Sequence, residues 1–174
     1  RVRLGDPLVR VRVEEQIRPL PARADQVFSE KLDVNNSVLN AYYQAGQTEP
    51  RLRGALLIIG RRLQDDYYQA LRTQQQLGYI VWAGMGQTRK TLNFSFVVQS
   101  GAYSADVLQE RTEQFIPRFI AGFKALPDAV FEGYRSAVIQ AKLERDHNLG
   151  EAAQRLFYVA FQNDEKWDYN SEDI

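Results

Sequence analysis

The sequence predicts a two-layer α+β domain, an antiparallel sheet with helices packed over one face. Three observations carry this. Segments with a two-residue apolar period fill the N-terminal part and return as a hairpin around 79–99, a strong helical tract at 49–76 stands between them, and helical spacing dominates after Gly101. The links between strands are short, so successive strands pair antiparallel.

Val9, Val11 and Val13 alternate with Arg10, Arg12 and Glu14, as in an edge strand, and Pro19-Leu20-Pro21 interrupts, so residues 1–20 form an edge strand or a linker;. Arg1, Arg3, Arg10, Arg12, Arg18 and Arg23 admit an anionic ligand, but alternating arginines suit the wet face of a strand;. Two further strands are expected over Gln26–Val34 and Asn36–Gln44, split by a turn-prone region at Asp33–Ser37;. In the second of these, Ser37, Leu39, Ala41 and Tyr43 alternate with Val38, Asn40, Tyr42 and Gln44. Neither face is purely polar, which suits a sheet with helices on one side and a substrate or another domain on the other.

Leu52, Ala55, Leu56, Ile59, Leu63, Tyr67, Ala70 and Leu71 then recur at three- and four-residue steps, the period of one buried helical face;. Thr48 is the expected N-cap, Glu49 suits the positive end of the helix dipole, and Pro50 fits a first turn whose amide has no partner. Gly78 is the expected left-handed stop. At about 1.5 Å per residue, Glu49 to Gln76 makes a rod of roughly 40 Å.

After Gly78 the period becomes two. Tyr79, Val81, Ala83 and Met85 share one side of a strand, and Leu92, Phe94, Phe96 and Val98 alternate with polar residues in the next, across a turn at Gly86–Lys90;. Arg72 and Tyr79 flank the reversal, so their side chains are expected to converge. Gly101 and Ser104 open a second helix with Leu108, Phe115, Phe119, Phe123 and Leu126 as its buried stripe and a kink at Pro117. Pro127-Asp128 restarts a third, carrying Phe131, Tyr134, Val138, Ala141 and Arg145. His147-Asn148-Leu149-Gly150 breaks it, and Glu151–Gln162 forms a fourth with Leu156, Val159 and Ala160 inward. Trp167 and Tyr169 end the chain in a polar tail suited to contact another surface.

The 174 residues suffice for one core and contain no internal repeat, so a single domain is expected over 1–174;. Lys+Arg and Asp+Glu both number 22, which gives no reason to expect nucleic acid or an anionic membrane as partner;. No cysteine is present, which rules out disulfides and thiolate chemistry and fits either the cytosol or an oxidising compartment;. No apolar run approaches the ~20 residues of a membrane span. The chain starts at Arg1 without methionine or signal peptide and reads as a truncated piece of a longer polypeptide, so targeting information is missing.

Few residues here are equipped for chemistry. The one histidine, His147, stands at i,i+4 from Glu151 and offers at most two metal ligands across Gly150; a polar role at a helix junction suits it better;. No nucleophile triad is possible without a second histidine or a cysteine. Gly84-Met85-Gly86 leads into a strand and so reads as hairpin, not phosphate cradle. Arg72 and Tyr79 remain. Taken alone, they are either a charge favourable to a helix C-terminus beside an aromatic that opens a strand, or a pair of hydrogen-bond donors at one corner.

The segment Leu71-Arg72-Thr73-Gln74-Gln75-Gln76-Leu77-Gly78-Tyr79-Ile80-Val81, the hairpin ending at Gln99-Ser100, and Asn35-Asn36-Ser37 leading to Tyr42-Tyr43-Gln44 resemble the C-terminal half of the pitrilysin and insulysin family of zinc metallopeptidases, from about Val9 to the end of the chain. The resemblance implies a metallopeptidase half-domain with a further helix and strand beyond Ile174. It implies that the catalytic zinc of the full-length enzyme is held by an N-terminal half, since the inverted motif His-x-x-Glu-His cannot be drawn with one histidine. This portion would then bind no metal or cofactor and be inactive alone. It would close a chamber over unfolded peptide substrates, with Arg72 and Tyr79 as catalytic residues that reach the substrate carbonyl. A periplasmic location is expected by analogy with bacterial members. The alternative is a non-catalytic core or processing-peptidase-like subunit, a structural or substrate-binding partner of a separate zinc-bearing chain.

Overall fold

A computed structural model of the chain describes residues 21, 25–31, 33–88 and 90–162. Its elements follow in the order β1 (Ser37–Gln47), α1 (Pro50–Tyr67) continuing into a π-helical turn (Tyr68–Gln74), β2 (Ile80–Thr88), β3 (Thr91–Ser100), α2 (Ala105–Lys124), α3 (Asp128–Leu143) and α4 (Leu149–Gln162). The architecture is α+β, as the periodicity indicates.

The three strands form an antiparallel sheet in the order β1-β3-β2. Register decides what each face presents, because side chains alternate with a period of two. Ala41 and Ala83 both stand opposite Phe96, and Leu39 and Val81 both stand opposite Val98, so the apolar residues of all three strands share one face. Against it pack Leu63, Tyr67 and Leu71 from the first helical rod and Leu108, Phe115 and Phe119 from α2. Tyr67 meets Phe96 at 5.2 Å and Phe115 at 5.1 Å between ring centroids, both edge-on, a geometry worth about 0.5–1.5 kcal/mol per pair beyond area burial;. Phe119, Phe123 and Phe131 carry the ring contacts outward to α3, which buries no residue fully. On the opposite face of the sheet Val38, Tyr42, Ile80 and Trp82 are all exposed.

Several local expectations are corrected. No strand forms over residues 25–31 and 33–34, where Val27, Phe28 and Val34 are exposed. Alternation there finds no ladder partner among the described residues, and an unpaired strand is not stable on its own. The strands β2 and β3 pair as far as Thr88 opposite Thr91, so Gly86 lies inside the ladder, opposite Asn93, and not in the turn. Thr48 does not cap α1. Glu49 occupies the N-cap without a side-chain hydrogen bond, while the Thr48 amide donates to the Lys90 carbonyl at 2.8 Å and so joins the helix entry to the hairpin turn. In β1 the register shifts between Gln44 and Gly46, where Gly46 takes φ +151°, a conformation side chains rarely adopt;.

Beyond the hairpin, α2 runs through Pro117 as one helix with Leu108, Phe115 and Phe119 buried as expected. At the start of α4, Asn148 accepts the Glu151 amide at 3.0 Å and Glu151 accepts the His147 amide at 2.8 Å, a reciprocal cap that begins the helix two residues ahead of Glu151;. Val159 is buried, whereas Leu156 is 44% exposed and does not face inward. The readings for residues 1–20, including the strand Val9–Val13, and for Trp167 and Tyr169 lie outside the described residues.

Candidate functional site

The corner between the first helical rod and β2 is set by how that rod ends. Leu63, Tyr67 and Leu71, spaced by four, are 2%, 0% and 0% exposed. In a regular α-helix each four-residue step rotates a side chain by about 40°, so three in succession would drift off the core. The helix resolves this by widening. From Tyr68 to Gln74 it is π-helical, and the Gln75 amide reaches back five residues to the Ala70 carbonyl at 3.2 Å;.

The stop comes at Gln76, which takes φ +53°, and the Leu77 amide closes on the Leu71 carbonyl at 2.9 Å. Gly78 is therefore not the left-handed residue the sequence suggests. Its role is close approach: a Cβ there would strike the Gln99 carbonyl oxygen, with the Gln99 carbonyl carbon at 2.9 Å and Val98 Cγ1 at 3.2 Å. Glycine lets the chain pass directly beneath β3, and the next amide, that of Tyr79, donates to the Gln99 carbonyl at 2.9 Å;.

This path places Arg72 and Tyr79 together. Arg72, near the negative end of the helical rod, donates from Nη1 to the Gly78 carbonyl at 2.7 Å, and its Cζ lies 5.5 Å from the centre of the Tyr79 ring;. The Leu77 and Gly78 backbone beneath is buried, while Tyr79 is 82% exposed. Anchored below and open above, the corner presents a guanidinium with five N–H groups, one of them engaged with Gly78, and a phenol. Both can donate to an oxygen that gains negative charge.

His147 plays no part in this corner. Its ring lies 3.0 Å from the Glu144 carboxylate, and Glu151 is occupied with the His147 amide and, at 2.9 Å, the Asn148 side-chain amide. Beside it Arg155 grips Asp146 through Nε and Nη2, and that hydrogen-bonded guanidinium holds the Asp146 carboxyl below its usual range. Among the described residues no group of three or more His, Cys, Asp or Glu could hold a metal ion.

Two features of the corner escape the motif reading, the π-helical turn and left-handed Gln76. A signal for the first was present. The fully buried Leu63, Tyr67 and Leu71 advance by four, and the next buried leucine, Leu77, comes six residues later.

Comparisons with known proteins bear on the family and the fold. A family described as "PQQ synthase PqqF-like, C-terminal lobe domain 4" matches residues 58–157, which include the helical rod from Ile58 onward, the Arg72–Tyr79 corner, the hairpin and α2 to most of α4. The chain is 34% identical over 117 residues to a nardilysin-like protein of Arabidopsis thaliana, across 66% of this chain and 11% of that protein. It is 32% identical over 99 residues to protease 3 of Escherichia coli, across 57% of this chain and 10% of that one. The crystal structure of pitrilysin superposes with a TM-score of 0.72 at 26% identity, over 81% of this chain and 15% of the pitrilysin chain. The chain thus spans only a small part of the length of these relatives.

Proposed function

The chain belongs to the PqqF-like C-terminal lobe family of insulinase-type peptidases, and on that premise we propose that it is the non-zinc C-terminal portion of a zinc metalloendopeptidase acting on unfolded peptides. In this reading the zinc, the water it activates and the general base belong to an N-terminal half of the full-length protein. The zinc supplies Lewis-acid chemistry there, and no residue of this chain ligates it. This portion helps to close a chamber around the peptide. Arg72 and Tyr79 extend from it as donors to the carbonyl oxygen of the scissile bond.

The observation that carries the reading is the convergence of the two side chains on one open corner. A guanidinium on a buried backbone and an exposed phenol 5.5 Å away are oriented before substrate arrives, so little reorganisation is needed as charge develops;. A bidentate-capable fork and a single hydroxyl can together hold an oxyanion, or hold its neighbouring carbonyl in line.

The test is Tyr79→Phe in the full-length enzyme. The phenylalanine keeps the ring beside Arg72 and removes only the hydroxyl. Peptide turnover is expected to fall by roughly 10²-fold or more, as on loss of one oxyanion donor, with zinc content unchanged. Wild-type turnover in that variant would refute the role.

A further inference from the structure

We propose that the π-helical turn Tyr68–Gln74 is the device that sets the rotational phase of Arg72, and that Tyr67 is the positioning residue that pins its entry. The proposal rests on the reading of Arg72 as a substrate contact but adds the mechanism that aims it.

A π-type bond spans one residue more than an α-type bond, so a helix passing through such a turn reaches its end about one residue, or about 100°, behind a continuous α-helix. Arg72 lies inside the wide turn and precedes the stop at Gln76. With the turn present, its guanidinium meets the Gly78 carbonyl at 2.7 Å and the Tyr79 ring at 5.5 Å. Were the rod α-helical throughout, the same side chain would leave further round the axis, by an angle approaching the ~100° reached at the turn's end, and would point away from both partners.

Both ends of the turn are clamped. At the entry, Tyr67 is fully buried, its hydroxyl 2.9 Å from Thr112 Oγ1 and its ring edge-on to Phe96 and Phe115, so it is tied at once to the sheet and to α2. At the exit, Leu71 and Leu77 are buried in the same core and joined by the 2.9 Å bond between the Leu77 amide and the Leu71 carbonyl. Arg72 lies between these fixed points, which constrain its phase. A wide turn forfeits regular α-type bonds, and its persistence between such clamps fits a helix bent to a functional purpose.

The experiment deletes Gln69, an exposed residue at the start of the turn, from the full-length enzyme, alone and combined with Arg72→Ala, and determines the crystal structure and the kinetics of each variant. The deletion is expected to restore α-type bonding, carry Arg72 off the Gly78 carbonyl, and lower kcat by roughly 10²-fold with KM little changed, as misplacement of a positioned group does. In the Arg72→Ala background it should cost little more. Arg72 still on Gly78 in the deletion structure overturns the proposal, and so does an equal loss in both backgrounds. Arg72 displaced with wild-type kcat leaves the phase-setting intact and refutes the substrate role instead. Tyr67→Phe, which keeps the packing, serves where the deletion does not fold. It should lower kcat several-fold only while Arg72 is present, and an equal loss in Arg72→Ala overturns the part assigned to Tyr67.

Discussion

Tyr67 and Thr112, 45 positions apart in the chain, satisfy each other through a buried hydroxyl pair 2.9 Å long. With Tyr67 0% and Thr112 1% exposed, neither oxygen can turn to water, so the loss of either leaves its partner unpaired in the core;. The bond fastens the last turn of α1 to α2 at the point where the helix begins to widen. Local geometry at the Arg72 corner is thereby tied to the buried core.

The same pair makes stability depend on alkaline pH. Burial pushes the Tyr67 phenol up from 10.0 to about 12, against a smaller opposing effect of the Thr112 hydrogen bond. A raised phenol favours the neutral form in the folded chain. Its contribution is whole below pH 10.0 and is lost as pH rises through about 12, a change on the order of 2–3 kcal/mol;. Urea unfolding of wild type and Tyr67→Phe should therefore differ by progressively less across that window. A constant difference would show that the phenol does not titrate against the fold.

Gly78 and Gln76 should respond in opposite ways to substitution. Gly78→Ala drives a Cβ into the Gln99 carbonyl and should cost about 1–3 kcal/mol or more, since backbone must move to admit it;. Gln76→Gly relieves a left-handed residue at φ +53°, a conformation that costs an L-residue about 1–2 kcal/mol, against about 0.4–1 kcal/mol for a more flexible unfolded chain;. Its stability in urea should match or slightly exceed wild type. The reverse ranking would place the helix stop at Gly78 after all.

Arg72→Lys should not preserve function. A single ammonium can hold the Gly78 carbonyl or reach outward, whereas the guanidinium fork does one with Nη1 and keeps further donors for the other;. Peptide kcat/KM in the full-length enzyme is expected to fall by roughly 10-fold or more. The loss should be less than additive with Tyr79→Phe, because the two groups share one corner.

Asn148→Ala should loosen α4 without touching the corner. It removes the acceptor for the Glu151 amide and one donor to the Glu151 carboxylate, a cap worth about 1 kcal/mol;. Circular dichroism should register a lower melting temperature, and peptide turnover in the full-length enzyme should stay unchanged.

Much of the fold is legible in local pattern. The alternation in Leu39, Ala41 and Tyr43 and again in Val81, Ala83 and Met85 announces one apolar sheet face, and the Phe115–Phe119 spacing announces the inner stripe of α2. Gln26–Val34 has enough β-formers to suggest a strand, yet none forms over its described residues, because pairing is a property of a partner and not of the segment. Leu156 sits in a helical pattern that places it inward, and it is exposed. A helical stripe says which residues share a face but not where along its length the core ends.

The corner divides in the same manner. Residue order alone determined that a rod ends near Arg72, that a strand begins near Tyr79, and that a glycine lies between them, since periodicity and composition act over a few neighbours. Tertiary structure decided that the rod widens after Tyr67, that Gln76 and not Gly78 bends the chain, and that Gly78 is needed so that the backbone can slip beneath Gln99. Those choices follow from clamps at Thr112, Phe96 and Phe115, residues remote in sequence, and the aim of a side chain at a reversal is settled by what the reversal packs against.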